Sequence, residues 1–306
     1  MAIEKIHVIL CCYQGEKYIS KQLDSILAQD YPLIEIHVSD DCSVDSTLSI
    51  VSEYCAKYPN ISFYRNHKNL GFLKNFESSL ERVSGKYFAL CDQDDIWCTD
   101  KLSLSMQELQ FLENSYPDKP ILIHSDLELI NDQDEVIESS FFTKKGLVFS
   151  ETKSLALILG HCGVMGNTIL MNRNLIEKAL PFPVQLKYHD YWFALINECF
   201  GVRKTISKPL VKYRLHDTNT SNNKLIKTKS NTLPFMQDNR FQTIEYLLSN
   251  YDLFPEDEPI VKSFYDYLSL KQSRFSHFMF LLNNNFFKRS FFYRINAFFK
   301  IMFTKL

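Results

Sequence analysis

The sequence predicts an α/β fold: a mostly parallel sheet flanked by helices, followed by a C-terminal helical extension. Three observations carry that expectation. Strand-like and helix-like patterns alternate from Lys5 to Ser125, polar or acidic residues follow the strand-like runs, and 14 of the 25 Phe fall in the last 76 residues. Repeated strand and helix units imply parallel strands joined by crossover helices. Ligands on such sheets bind beyond the carboxyl ends of the strands.

Strands are expected at Ile6 to Cys11, Ile34 to Val38, Ile61 to Tyr64, Tyr87 to Cys91 and Ile121 to His124, each short, rich in Val, Ile, Phe or Tyr, and closed by a polar turn. Between them, helical periods place Ile19, Leu23, Ile26 and Leu27 on one stripe, Phe72, Phe76, Leu80 and Val83 on a second, and Leu102, Met106, Leu109 and Leu112 on a third. From Asp126 the alternation loosens. Gly160 to Asn167 reads as a close-packed or ligand-facing loop, Thr168 to Met171 as a strand, Leu175 to Leu180 as a short helix, and His189 as the opening of another. Residues 217–232 form a polar, linker-like stretch.

Composition excludes several classes. Net charge is −2, with 45% hydrophobic and 23% charged residues, so nothing global favours nucleic acid. The eight cysteines include no CxxC pair, which points to reduced thiols in a cytoplasmic protein. Met1 to Cys12 runs straight into a strand without a signal-peptide layout, and no run of apolar residues is long enough to span a bilayer.

The segment Ala89 to Trp97, ALCDQDDIW, puts Asp92, Asp94 and Asp95 directly after an apolar strand. Like charges so close raise one another's pKa, and a divalent cation with a diphosphate would relieve them. A solvated acidic turn before the helix near Asp100 is the plainer alternative for the cluster taken alone. SDDCSVDST at 39–47 adds Asp40 and Asp41 beyond the second strand, with Asp45 or Ser43 free to cap the next helix.

Six segments in order carry a family resemblance: ILCCYQGEKYISKQLDSILAQ, SDDCSVDST, NHKNLGFLKNFE, DQDDIW, HDYW at 189–192, and YRLHDTNTS at 213–221. Over roughly Ile6 to Ser221 the chain resembles family 2 inverting glycosyltransferases of the GT-A fold. Its DQDDIW variant is most similar to rhamnosyltransferase-type enzymes of O-antigen and other bacterial surface polysaccharides. The resemblance implies a catalytic domain at 1–221, divided into a nucleotide-sugar half (1–125) and an acceptor half (126–221), then a helical region at 222–306.

It also implies residue roles. Tyr13 would pack on the base, Asp40 and Asp41 would accept hydrogen bonds from pyrimidine or ribose, and Asn69 would sit in a turn beside the nucleotide. Asp92, Asp94 and Asp95 would meet the ribose and the metal-bound diphosphate, with Asp92, Asp94 and His216 around Mn2+ or Mg2+; an imidazole ligand favours manganese. Asp190 would be the general base that inversion requires, with His189 behind it. The implied donor is dTDP-L-rhamnose or a UDP-hexose, and the acceptor a hydroxyl on a lipid-linked or growing glycan.

A nucleotidyltransferase is the nearest enzymatic rival, but CCYQGEKY makes a poor triphosphate loop. A silent nucleotide- or glycan-binding scaffold is the non-catalytic one. The tail at 286–306, FFKRSFFYRINAFFKIMFTKL, holds seven Phe, five basic residues and no acid. It reads as an interfacial helix on the inner face of the membrane, or as one that docks on the catalytic domain or on a second subunit of a homo-oligomer.

Overall fold

All five expected strands are present in the computed structural model, which describes residues 3–149, 153–216 and 240–269. Strands β1 (Ile6–Cys12), β2 (Ile34–Asp40), β3 (Ile61–Arg65) and β4 (Tyr87–Asp92) each run one or two residues past the expected end. They pair in parallel in the order β3-β2-β1-β4. Helices α1 (Ile19–Leu27), α2 (Thr47–Lys57), α3 (Phe72–Arg82) and α4 (Lys101–Ser115) flank them.

Alternation along β1 sorts side chains to opposite faces. Ile9 and Cys11 pack with Phe76 and Leu80 of α3. Val8 and Leu10 pack with Leu23 and Ile26 of α1 and Leu102 of α4. Because both faces are covered, all seven residues of β1 are buried, which explains why every residue of it but His7 is apolar.

Beyond β4 lie a two-residue strand β5 (Ile96–Trp97), the long β6 (Ile121–Ile130), β7 (Val136–Glu138) and the short helices α5 (Phe141–Lys145) and α6 (Leu155–His161). Then come β8 (Leu170–Asn172), α7 (Arg173–Ala179), α8 (His189–Phe200), β9 (Val202–Arg214), α9 (Arg240–Asn250) and α10 (Glu258–Ser269). The sheet continues β4-β8-β6-β9-β5, with β7 on β6. Strand β8 is antiparallel to β4 and β6, and β5 to β9, so the second half is mixed.

Three features differ from the sequence reading. Thr168 belongs to a 3-10 turn (Gly166–Thr168), and the strand after it starts only at Leu170. The glycine-rich loop opens within the last turn of α6. Strand β9 was not expected, because its Lys and Pro residues mask any alternation. It is tolerated because Pro209 faces Asp126 where the β6–β9 register shifts, at an irregularity that needs no ladder N–H.

Ile244 and Leu247 of α9 and Val261 and Phe264 of α10 join the same buried cluster as Trp192 and Phe193 of α8. The region after residue 221 therefore contributes to the core of the sheet domain. All of the linker-like stretch (217–232) and the Phe-rich tail (286–306), with its expected membrane or subunit contact, lie outside the described residues. Among the described residues, no helix is long and apolar enough to cross a membrane.

Candidate active site at the carboxyl rim of the sheet

Strand register brings the first acids together. Cys12 of β1 pairs with Asp40 of β2, Cys11 with Asp92 of β4, and Asp40 with Arg65 of β3, so Asp40 and Asp92 flank the end of β1. Buried Asp40 accepts from Ser43 N at 2.9 Å and lies 3.7 Å from Arg65 Nε. Asp41 orders the next loop: its carboxylate accepts from Leu70 N (2.7 Å), Gly71 N (2.8 Å) and Asn66 Nδ2 (2.9 Å). Gly71 has φ 82°, a conformation that suits glycine, and the exposed Asn69 side chain accepts from its N–H at 3.1 Å. Neither Asp45 nor Ser43 is the N-cap of α2, which is Ser46 without a side-chain cap, though Asp45, one residue earlier, accepts from Thr47 N at 3.1 Å.

Tyr13 is 47% exposed, leaving its ring open to a stacking partner. Its backbone is clamped by Gln93, whose Oε1 accepts from Tyr13 N (2.8 Å) while Nε2 donates to Tyr13 O (3.0 Å). That amide ties the β1 loop to the acidic loop, a role the sequence reading missed. Gly15 makes room for it, since a Cβ there would lie 2.4 Å from Gln93 Oε1.

Pairing of β5 with β9 carries the far end of the domain to the acidic loop. His216 Nε2 reaches Asp94 Oδ2 at 2.8 Å, and its ring lies 5.1 Å from that of Tyr18. Asp95 is fully buried and turned inward, accepting from Asn167 Nδ2 and from Arg214 N. Burial, then the Asp94 and Asp92 charges, push its carboxyl well above the ordinary range. The buried Arg214 guanidinium donates to Asp94 O and Asn131 O, both at 2.9 Å, and pairs with Asp134. Asp95 and Arg214 thus hold the loop's shape, and Asp92 and Asp94 present its charge.

Helix α8 supplies the third acid. Asp190 sits in its first turn and accepts from the backbone N–H groups of Tyr191 and Gly166. Burial raises its pKa to about 6, partly offset by those N–H groups and by Arg240. Arg240, at the start of α9, donates to Leu159 O and Gly160 O at 3.0 and 2.9 Å. His189 lies under Asp190, stacked on Phe76 at 4.5 Å, with no hydrogen-bond partner on either ring nitrogen among the described residues. Burial lowers its pKa to about 3, so it stays neutral and supports Asp190 by packing.

A Cβ on Gly166 would come within 2.7 Å of His189 Nε2. Gly166→Ala should therefore push the imidazole and the start of α8 outward. Expected is a loss of about 1–3 kcal/mol in urea unfolding, with transfer falling more than donor binding. Unchanged stability and activity would show that the α8 start does not depend on this contact.

Asp92 and Asp190 are near enough to interact. After burial, the charges of Asp94 and Asp190 are what raise Asp92 to about 8. Carboxyl groups from β4, the DQDD loop and α8 therefore lie within electrostatic reach of one another. Asp94 and His216 are in contact, and they and Asp92 offer the oxygen and nitrogen donors that a divalent cation takes, although the ligand atoms of the three are not gathered within 4.8 Å of one another. The eight cysteines are unpaired, and burial raises the thiols of Cys11, Cys12 and Cys91, consistent with packing.

Similarity to known proteins agrees with this geometry. Residues 7–172 match the family described as Glycosyl transferase family 2. An uncharacterized glycosyltransferase of Haemophilus influenzae is 33% identical over 223 residues, 71% of this chain and 67% of that one. The Escherichia coli UDP-Glc:alpha-D-GlcNAc-diphosphoundecaprenol beta-1,3-glucosyltransferase WfgD is 27% identical over 247 residues, 80% of this chain and 91% of its own. Among solved structures, S. aureus TarS 1-349 in complex with UDP-GlcNAc superposes with a TM-score of 0.62 at 20% identity, covering 97% of this chain and 80% of that one. The mannosyltransferase PcManGT of Pyrobaculum calidifontis, in complex with GDP-Man and Mn2+, gives 0.57 at 18%, covering 93% and 74%. With more than half its length matched, and with the GT-A architecture in place, this chain belongs to glycosyl transferase family 2.

Proposed function

We propose that the protein is an inverting, divalent-metal-dependent hexosyltransferase that moves a sugar from a nucleoside diphosphate donor to a hydroxyl of a lipid-linked, growing surface glycan. The observation that carries this reading is that Asp94 and Asp190 both act electrostatically on Asp92 at the carboxyl end of β4. Tyr13, Asp40, Asp41 and Asn69 line the nucleotide side. Asp92, Asp94 and His216 would hold the cation, with Asp95 keeping their loop in shape.

Asp190 takes the proton of the acceptor hydroxyl as that oxygen attacks the anomeric carbon, opposite the departing diphosphate. A bound cation supplies Lewis-acid neutralisation of the charge that develops on the diphosphate. Positioning is left to the protein: Gln93 fixes the β1 loop against the acidic loop, and Gly166 fixes the height of Asp190.

WfgD, a relative whose name gives donor and acceptor, uses UDP-Glc and a lipid-diphosphate-linked GlcNAc, which moves UDP-glucose ahead of dTDP-L-rhamnose as the first donor to test. Manganese is favoured over magnesium by the imidazole ligand, and PcManGT, of the same fold, holds Mn2+. The test is a panel of UDP-glucose, UDP-galactose, UDP-N-acetylglucosamine and dTDP-L-rhamnose with Mn2+ or Mg2+, read as donor hydrolysis and as transfer to a GlcNAc-diphosphate lipid. One donor should turn over, and chelator should stop it. Tight nucleotide binding without turnover of any donor would make the protein a binding scaffold instead.

A further inference from the structure

At the opposite end of the same strands, side chains from β1 and β2 form a second polar cluster. His7 is the second residue of β1, about 17 Å along the strand from Cys12 and the acidic rim at ~3.3 Å per residue. His7 and Glu35 are register partners, and His37 lies two residues on, so all three share one face of the sheet. His7 Nδ1 is 2.9 Å from His37 Nε2 and 3.8 Å from Glu35 Oε2, and one ligand atom from each residue lies within 4.8 Å of the others. The geometry points to a zinc site formed by His7, Glu35 and His37, separate from the catalytic acids.

The ligand chemistry suits zinc, which takes imidazole nitrogen and carboxylate oxygen at about 2.0–2.2 Å in a tetrahedron. Such bonds separate two ligating nitrogens by about 3.3 Å, so the present 2.9 Å contact has to open by only a few tenths of an ångström. Solvent supplies the fourth ligand, because Glu35 and His37 are only partly buried.

The surroundings already hold the rings as a metal site would. Ser62 Oγ of β3 lies 2.9 Å from His37 Nδ1 and 3.3 Å from Ile36 O. With the serine hydroxyl donating to Ile36 O, His37 Nδ1–H donates to Ser62 and the Nε2 lone pair faces His7. A ligating histidine anchored through its other nitrogen is the usual arrangement in zinc sites. Without metal, His7 Nδ1–H donates to His37 Nε2; with metal, His7 carries its proton on Nε2 and both facing nitrogens become ligands. Gly85 leaves room for the His7 ring, since a Cβ there would lie 2.2 Å from its Cδ2. Two cations lie near among the described residues: Lys5, whose Nζ is 2.8 Å from Glu35 Oε2 and whose half-exposed chain can swing into solvent, and Arg173, whose charge also acts on His7 but whose guanidinium is held by Val83 O and Gly85 O.

The experiment is Zn2+ binding to the full chain by calorimetry, with Co2+ absorption reporting ligand type, in wild type, in Asp94→Asn, and in Asp94→Asn with His37→Gln or Glu35→Gln added. Asp94→Asn disables the acidic rim, so any site at the other end persists in it. Expected is one Zn2+ in Asp94→Asn, present in wild type beside any ion taken up at the acidic rim, and binding at this site at least tenfold weaker when His37→Gln or Glu35→Gln is added to Asp94→Asn. Ser62→Ala should weaken it by a smaller factor. Circular dichroism and the zinc-free melting temperature check that each variant folds, and Glu35→Gln, at a partly exposed position, serves if His37→Gln does not. Zinc binding absent from wild type, unaffected by the folded cluster variants, or abolished by Asp94→Asn alone overturns the assignment.

Discussion

Replacing Asp190 with Asn lowers transfer by about 10²–10⁴-fold, the range a positioned general base supplies, while donor affinity stays within about twofold. Asn keeps the size of the side chain and can still accept from Tyr191 N and Gly166 N, so the start of α8 should hold its shape. It cannot accept the hydroxyl proton. The pH profile gives an independent reading. Burial holds the Asp190 carboxyl near 6, above its ordinary 3.8, so the base is protonated and idle below that pH. Turnover at saturating donor should therefore rise through pH 6 in wild type and lose that limb in the variant. Near-wild-type transfer by Asp190→Asn would remove Asp190 from the reaction.

Asp92→Asn is expected to do opposite things to activity and stability. Asp92 is raised from 3.8 to about 8 by burial and then by the Asp94 and Asp190 charges. Below about pH 4 it is protonated whether the chain is folded or not, and it costs nothing. As pH rises from 4 towards 8 the unfolded chain gives up this proton and the folded one keeps it, so wild type loses stability across that window. In EDTA at pH 7.5, Asp92→Asn should be more stable than wild type by about 1–3 kcal/mol in urea titrations, and the gain should vanish near pH 4. With Mn2+ the order narrows or reverses, because the cation stabilises only the chain that can bind it. Transfer should fall at least 10²-fold in the variant, the loss expected when a cation is no longer held against developing charge. A variant that is no more stable in EDTA, and still metal-responsive, would place the cation elsewhere.

The acids of the rim were legible in the sequence because each follows a strand whose own composition announces it. Asp40, Asp92 and Asp94 needed no tertiary information beyond the rule that parallel strands point their carboxyl ends at the ligand. The distinction among them was not legible. Nothing in DQDD says that Asp95 turns inward to Asn167 and Arg214 while Asp94 turns to His216, because those partners are 72, 119 and 122 residues away. Asp41 likewise reads as a ligand acid, yet the structure also gives it the task of ordering the loop from Asn66 to Gly71. Gln93 and Gly166 were missed because an amide clamp and a missing Cβ leave no pattern of charge or period.

By itself the sequence determined the α/β alternation, the position of the first four parallel strands, and the placing of carboxylates beyond them, since these follow from local periodicity and the polar turns that end each strand. Only the tertiary structure decided that β5 pairs with β9, that α9 and α10 complete the core beside α8, and that Asp190 comes within electrostatic reach of Asp92. Those contacts join distant segments, and their energy comes from burial shared between both partners, so neither segment carries the signal alone.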